Sequence, residues 1–195
     1  EGGEQRIDFG NAKYTLDIIN SQDFTLRTRL CYPYKTRGII NVCIKSVVAE
    51  ESGESVWSLI GEKITEGSVS SAPVQITSVK EYSRGSEEVR FDITIENKGP
   101  GEVFIPSMQC EDYEDDDFRL SNKDIIGVKI NNPLDVKCAF IDGEEDAEGQ
   151  IQLVAGKDVL SCWMRTEETY EDKLDVTLSY FYFDKAEKKV TIFEN

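Results

Sequence analysis

Residues Val89 to Glu96 read Val-Arg-Phe-Asp-Ile-Thr-Ile-Glu, apolar at each odd position and polar at each even one, and lead into Asn97-Lys98-Gly99-Pro100-Gly101. A period of two places successive side chains on opposite faces of a strand. The Gly/Pro cluster that follows reverses the chain. A strand with one dry and one wet face belongs to an antiparallel sheet packed on a second layer. The pattern predicts an all-β chain built as a β-sandwich with antiparallel sheets.

Strand signals of the same kind recur on both sides of this stretch. Asp23 to Cys31 alternates, with Phe24, Leu26, Thr28 and Leu30 on one face. Tyr32 to Gly38 reads as a turn, Ile39 to Val47 as its returning strand, and Val56 to Ile60 as one more strand. Ser70-Ser71-Ala72-Pro73 reads as a short joint, since proline biases the preceding residue to extended geometry. Beyond it, strands are expected at Val74–Tyr82, Glu87–Glu96, Glu102–Pro106, Asp124–Ile130 and Asp135–Phe140. A hairpin is expected around Ala155-Gly156-Lys157 and another around Asp184-Lys185-Ala186. About eight short strands at this spacing suit an immunoglobulin-like sandwich. The expectation is therefore two all-β units, a smaller one at residues 1–72 and an immunoglobulin-like sandwich at 73–195.

Charge and composition narrow the function. The net charge is −16, from 38 acidic and 22 basic residues. A field of that sign repels phosphate backbones and anionic headgroups, so nucleic-acid binding is not expected. The chain contains no histidine, which removes Ser-His-Asp and Cys-His catalysis and imidazole metal sites. No phosphate-cradling loop or nucleophile elbow replaces them, and the expectation is a protein that is not an enzyme. No apolar run reaches 18 residues, so no direct membrane insertion is expected of this segment. The chain begins at Glu1 rather than Met, which is read as a processed or trimmed chain and leaves a signal peptide or an anchor outside it open.

Five cysteines stand at 31, 43, 110, 138 and 162. None forms Cys-x-x-Cys, which argues against zinc. Cys31 and Cys43 flank the expected hairpin at similar depth, so a cross-strand disulfide is expected there. Cys138 and Cys162 lie in two expected strands and are read as the second bridge. Cys110 is left over as an unpaired thiol, an intermolecular link, or an alternative partner for 138 or 162. Two disulfides imply an oxidising compartment.

Two acidic loops and one basic corner are candidate sites. Glu111 to Asp117 and Asp142 to Glu148 supply the oxygen donors that calcium favours, and Asp115, Asp116, Asp117, Asp142 and Glu144 are its candidate ligands. Neither loop has the spacing of an EF-hand, and a solvated acidic loop is the competing reading. No cofactor is expected apart from calcium as a candidate at these loops. Tyr32, Tyr34, Lys35 and Arg37 form the main basic and aromatic spot on an acidic chain, and are the candidate contact surface.

Ala72 to Val79, Val89 to Glu96 and Asn97-Lys98-Gly99-Pro100-Gly101-Glu102-Val103-Phe104 together resemble the CARDB-type family, immunoglobulin-like repeats of archaeal and bacterial cell-surface proteins. The shared element is a strand that ends in Asn-x-Gly and opens a second hairpin. The resemblance covers about 50 residues, and Cys31-Tyr32-Pro33-Tyr34-Lys35-Thr36 with Val42-Cys43-Ile44 also looks like a module of archaeal surface proteins. It implies an extracellular structural or adhesive protein whose partners are proteins, as self-assembly or as other surface proteins. The alternative is a calcium- or carbohydrate-binding accessory module of a larger secreted protein.

Overall fold

The structure is a computed structural model that describes residues 6–8, 10–11, 13–15, 20–44, 62–84, 88–133, 135–166 and 170–193. The strand expected at Val56–Ile60 lies outside the described residues. Among the described residues ten strands follow one another: β1 (Gln22–Ile44), β2 (Val74–Arg84), β3 (Glu88–Asn97), β4 (Glu102–Phe104), β5 (Ile125–Asn132), β6 (Lys137–Ala139), β7 (Glu145–Asp146), β8 (Glu148–Gln152), β9 (Lys157–Arg165) and β10 (Tyr170–Ile192). One short helix, α1 (Asp116–Ser121), follows a 3-10 turn at Glu111–Glu114. The strands make two antiparallel sheets. The first runs β1-β10-β5-β8 with β4 also on β10, and the second runs β2-β3-β9-β6-β7. The fold is all-β and sandwich-like.

The alternating stretch is β3, near the middle of the second sheet. Val89, Phe91, Ile93 and Ile95 are fully buried while the residues between them stay half-exposed. They face Val176, Leu178, Tyr180 and Tyr182 of β10 and Ile126 and Val128 of β5 in a shared core. Burying one such side chain contributes about 1.5–3 kcal/mol. The core also has a polar clasp between the sheets. The Thr36 hydroxyl donates to the Val74 carbonyl at 2.6 Å, and the Tyr180 hydroxyl accepts from the Val74 N–H at 3.2 Å. Burial pushes the Tyr180 hydroxyl up to about 12, so it stays protonated and can serve Thr36, 3.1 Å away.

The turn after β3 is explained residue by residue. The Asn97 side chain donates to the Gly101 carbonyl at 3.0 Å and accepts from the Gly99 N–H at 3.1 Å, closing the loop from both ends. The Gly101 N–H then donates to the Tyr182 hydroxyl at 2.7 Å. A Cβ on Gly101 would collide with the Phe183 carbonyl oxygen and the Tyr182 ring. Glycine is required here for close approach.

The structure corrects several expected boundaries. β1 is one strand of 23 residues and pairs with β10, also of 23 residues, along its whole length. No turn interrupts it at Tyr32–Gly38, and none interrupts β10 at Asp184-Lys185-Ala186. The reason lies in the direction of the backbone groups. Ile39 N–H donates outward to the Ser68 carbonyl at 2.7 Å, and the Arg37 carbonyl accepts outward from Ser70 N–H at 2.9 Å. Backbone groups alternate sides along a strand, so those of every odd residue in β1 face away from β10. Pro33 is odd, and β1 is an edge strand, so the missing proline donor removes no ladder bond.

The boundary expected at residue 72 divides no core. Ile40, Val42 and Ile44 of β1 share one buried cluster with Val74, Phe91 and Leu178. The expected hairpin around Ala155-Gly156-Lys157 is a tight turn, with Ala155 and Gly156 both at positive φ. Its two flanking strands part, however. β8 joins β5 in the first sheet, and β9 joins β3 and β6 in the second.

Gly101→Ala is expected to lower unfolding free energy by about 1–3 kcal/mol, as overpacking does, while Lys98→Ala, in the same turn, is expected to stay within about 0.5 kcal/mol. Urea denaturation of both variants checks this. Equal stability of the two would contradict the close approach at Gly101.

Candidate functional site

The outer nine of the 23 residue pairs of β1 and β10 leave the sandwich. From Gln22↔Ile192 to Leu30↔Asp184 the two strands pair with each other alone among the described residues, and their side chains are exposed or half-exposed. Nine residues of antiparallel strand make an arm about 30 Å long. Directly paired residues share a face. One face carries Phe24 with Val190, Leu26 with Lys188, Thr28 with Ala186 and Leu30 with Asp184. The other carries Thr25 with Lys189, Arg27 with Glu187, and Arg29 with Lys185.

Isolated two-stranded ribbons are marginal in water, and little along the arm itself stiffens this one. The Arg27–Glu187 ion pair at 2.9 Å is well exposed, and such pairs contribute about 0.2–1 kcal/mol. Thr191 donates to Asp23 at 2.6 Å, and the Tyr14 ring tilts against Phe24 at 5.0 Å.

The base of the arm is braced much more strongly. Odd residues of β10 put Phe181 and Phe183 on the outer face of the first sheet, where they pack with Phe104, Met108 and Tyr113 as a second small core. The Tyr113 ring stacks on Phe183 at 3.7 Å. Arg119, Lys185 and Arg29 stand around that ring at 4.9, 5.6 and 5.8 Å from its centre. The Tyr113 hydroxyl donates to Glu102 at 2.7 Å, and Lys123 donates to the same carboxylate at 2.6 Å. Burial works against ionising Glu102, but these two hydrogen bonds together with the charges of Lys123 and Lys185 outweigh it and hold the carboxyl below its usual range. Arg29 of the arm also pairs with Glu114. Cys31 is disulfide-bonded to Cys110, which ties the foot of the arm to the segment before α1.

That bridge corrects the expected Cys31–Cys43 pairing and the unpaired Cys110. With β1 a single strand, residues 31 and 43 are twelve residues apart along it, roughly 40 Å. Cys43 is buried and belongs to neither disulfide. Cys138 and Cys162 are direct neighbours across β6 and β9 and are bonded to each other.

The candidate contact residues do not form a turn corner. Tyr32 and Tyr34 sit on the inward side of β1, half-buried against Tyr182 and Tyr180 at 5.8 Å each. Lys35 and Arg37 point to the opposite, exposed face, where Arg37 forms a two-pronged pair with Asp175 at 3.0 and 2.6 Å. Strand alternation separates the aromatic and basic halves of the motif.

The first acidic run turns out to be a helix start. Asp115 caps α1 by accepting from Asp117 N–H at 3.1 Å and Phe118 N–H at 3.0 Å. Asp116 pairs with Arg119 at 2.5 Å, and Asp117 completes an acidic first turn that complements the helix dipole. In the second run, Asp142 accepts from the Glu144 N–H at 3.0 Å within the loop before β7. Among the described residues no three His, Cys, Asp or Glu side chains gather as a metal-holding group.

A buried carboxyl escaped the sequence reading. Glu81 is 2% exposed, accepts from the Cys43 N–H at 3.1 Å and lies 3.6 Å from Lys63, while its Oε1 has no hydrogen-bond partner. A register shift in β2 between Ile76 and Ser78 moves Glu81 to the inner face, which simple alternation hides. Burial pushes its carboxyl up against the opposing pull of the Cys43 N–H and Lys63. A cavity of about 440 Å³ lined by Asn41, Cys43, Lys63 and Asp172 opens beside this group.

Compared with known proteins, the chain matches no family model, no curated protein and no solved structure. The fold and the site define a two-layer β-sandwich that carries a braced, two-stranded arm.

Non-reducing peptide mapping is expected to find 31–110 and 138–162 linked and Cys43 alkylated; a 31–43 peptide would contradict the single-strand β1. A pH series tests Glu81. Its raised native pKa means that the folded protein holds a proton longer than the unfolded chain, whose glutamate titrates near 4.5. Its contribution to stability therefore falls as pH rises from about 4.5 through the native value. Glu81→Gln is expected to gain stability over the native chain as pH is raised from 5 to 8, by denaturant titration. Parallel pH profiles for the two proteins would contradict this.

Proposed function

We propose that the chain is a non-catalytic structural or adhesive protein of a prokaryotic cell surface, archaeal in source, that joins neighbouring subunits or surfaces in a filament or envelope layer. The observation that carries the reading is the arm. A sandwich alone explains the core, but not two strands extended by nine residues beyond it and then braced by a stacked aromatic core, three cations and a disulfide. Sheet edges are ready templates for adding a strand from another chain. The arm holds two such edges away from the body.

Other features agree with this. The two disulfides suit an oxidising compartment outside the cytoplasm. No helix among the described residues is long and apolar enough to cross a membrane. The resemblance of Val89–Phe104 to CARDB-type repeats points toward the cell surface, and the partners are then other proteins or further copies of this chain.

Sedimentation velocity and negative-stain electron microscopy across a concentration series test the proposal. Concentration-dependent oligomers or filaments are expected. A monomer at every concentration would contradict it.

A further inference from the structure

The arm is a basic element on an acidic protein. Residues 22–30 and 184–192 hold five cations, Arg27, Arg29, Lys185, Lys188 and Lys189, against three carboxylates, Asp23, Asp184 and Glu187. Its net charge is therefore +2, which leaves −18 for the rest of a chain whose total is −16. Arg27, Arg29 and Lys185 have carboxylate partners within the chain. Lys188 and Lys189 are exposed and have none among the described residues.

The most acidic strand edge lies at the opposite side of the molecule. The first sheet begins at β1 and ends at β8, and the second ends at β7. The chain from Asp142 to Glu148 runs along that far side and carries Asp142, Glu144, Glu145, Asp146 and Glu148, all exposed. Ile141 beside it is 54% exposed, and the arm shows Leu26 at 52%. Among the described residues β7 pairs with β6 and β8 with β5, and on the outer side of β8 the Gln150 carbonyl already accepts from the Ile141 N–H at 3.1 Å, so charge rather than a bare backbone edge marks this surface.

We infer that the basic arm of one copy docks on the acidic β7–β8 edge of a second copy, so that the chain assembles head to tail. This rests on the structural reading proposed above and names its partner and surface. Arm-to-arm pairing is opposed by like charge, and lysines at a strand edge are a known guard against it. The two complementary surfaces face opposite sides of one molecule and cannot close on each other within it. A contact between different patches of identical chains is heterologous, and it propagates into a fibre unless its rotation closes a ring. Opposite potentials steer such a contact and make it sensitive to salt.

The test is a reciprocal charge swap on the full chain, read by sedimentation velocity at low and high salt, with near-ultraviolet circular dichroism to confirm folding. All four altered side chains are exposed. Lys188→Glu with Lys189→Glu, and separately Glu144→Lys with Glu145→Lys, are each expected to weaken self-association about tenfold or more. Combining all four substitutions is expected to restore it, and high salt is expected to loosen the native assembly. If the native chain assembles but neither pair weakens it, or the fourfold variant fails to recover, the arm-to-edge contact is wrong while the structural reading stands. If the native chain never assembles, both fall.

Discussion

Everything distinctive about this molecule depends on one uninterrupted antiparallel ladder between β1 and β10. Its C-terminal half in β1 and N-terminal half in β10 build the first sheet and supply the face against which β3 packs. Its remaining nine residue pairs leave the sandwich as the arm. The ladder tolerates Pro33 because the strand is at an edge and the odd residues turn their backbone groups outward. The same geometry keeps the outer edge of the arm unpaired among the described residues.

Two separate devices keep the ladder in register where the body ends. Inside, Tyr180 and Tyr182 hold the sheets together by hydrogen bonds to Val74 and to the Gly101 turn. Outside, Tyr113 stacks on Phe183 while the Cys31–Cys110 bridge clamps β1. The two faces of β10 thus belong to different cores. The alternation of Tyr180, Phe181, Tyr182 and Phe183, all buried, is the sequence trace of that double packing. A strand covered on both faces reads as continuous apolar sequence rather than as strict alternation.

Much of the sheet structure was legible in the sequence, and the failures share a cause. β3 alternates cleanly because one of its faces is wet. Tyr32 to Gly38 carries turn residues, yet proline and glycine mark edge strands and close approaches as well as turns, and only the neighbour decides which. Gly38 is tight against Ile76 rather than bent. The acidic run at 115–117 reads as loop because α1 spans only six residues, too few to show a helical period, although Asp115 followed by two acids is a cap signal. Glu81 was invisible because a bulge flips its parity. The arm was hidden because its strands, whose paired residues run from Leu30 with Asp184 to Gln22 with Ile192, are far apart in sequence and define it only when paired.

The continuity of β1 is the claim on which the rest stands, and amide hydrogen exchange followed by NMR at monomeric dilution measures it directly. Protection is predicted to alternate through residues 24–30, with Phe24, Leu26, Thr28 and Leu30 slow to exchange and Thr25, Arg27 and Arg29 fast, and to continue at Tyr32, Tyr34 and Thr36 without a break. Rapid exchange of every amide from Tyr32 to Gly38 apart from Arg37, whose N–H is held by Ser70, would instead mark a turn and contradict the ladder.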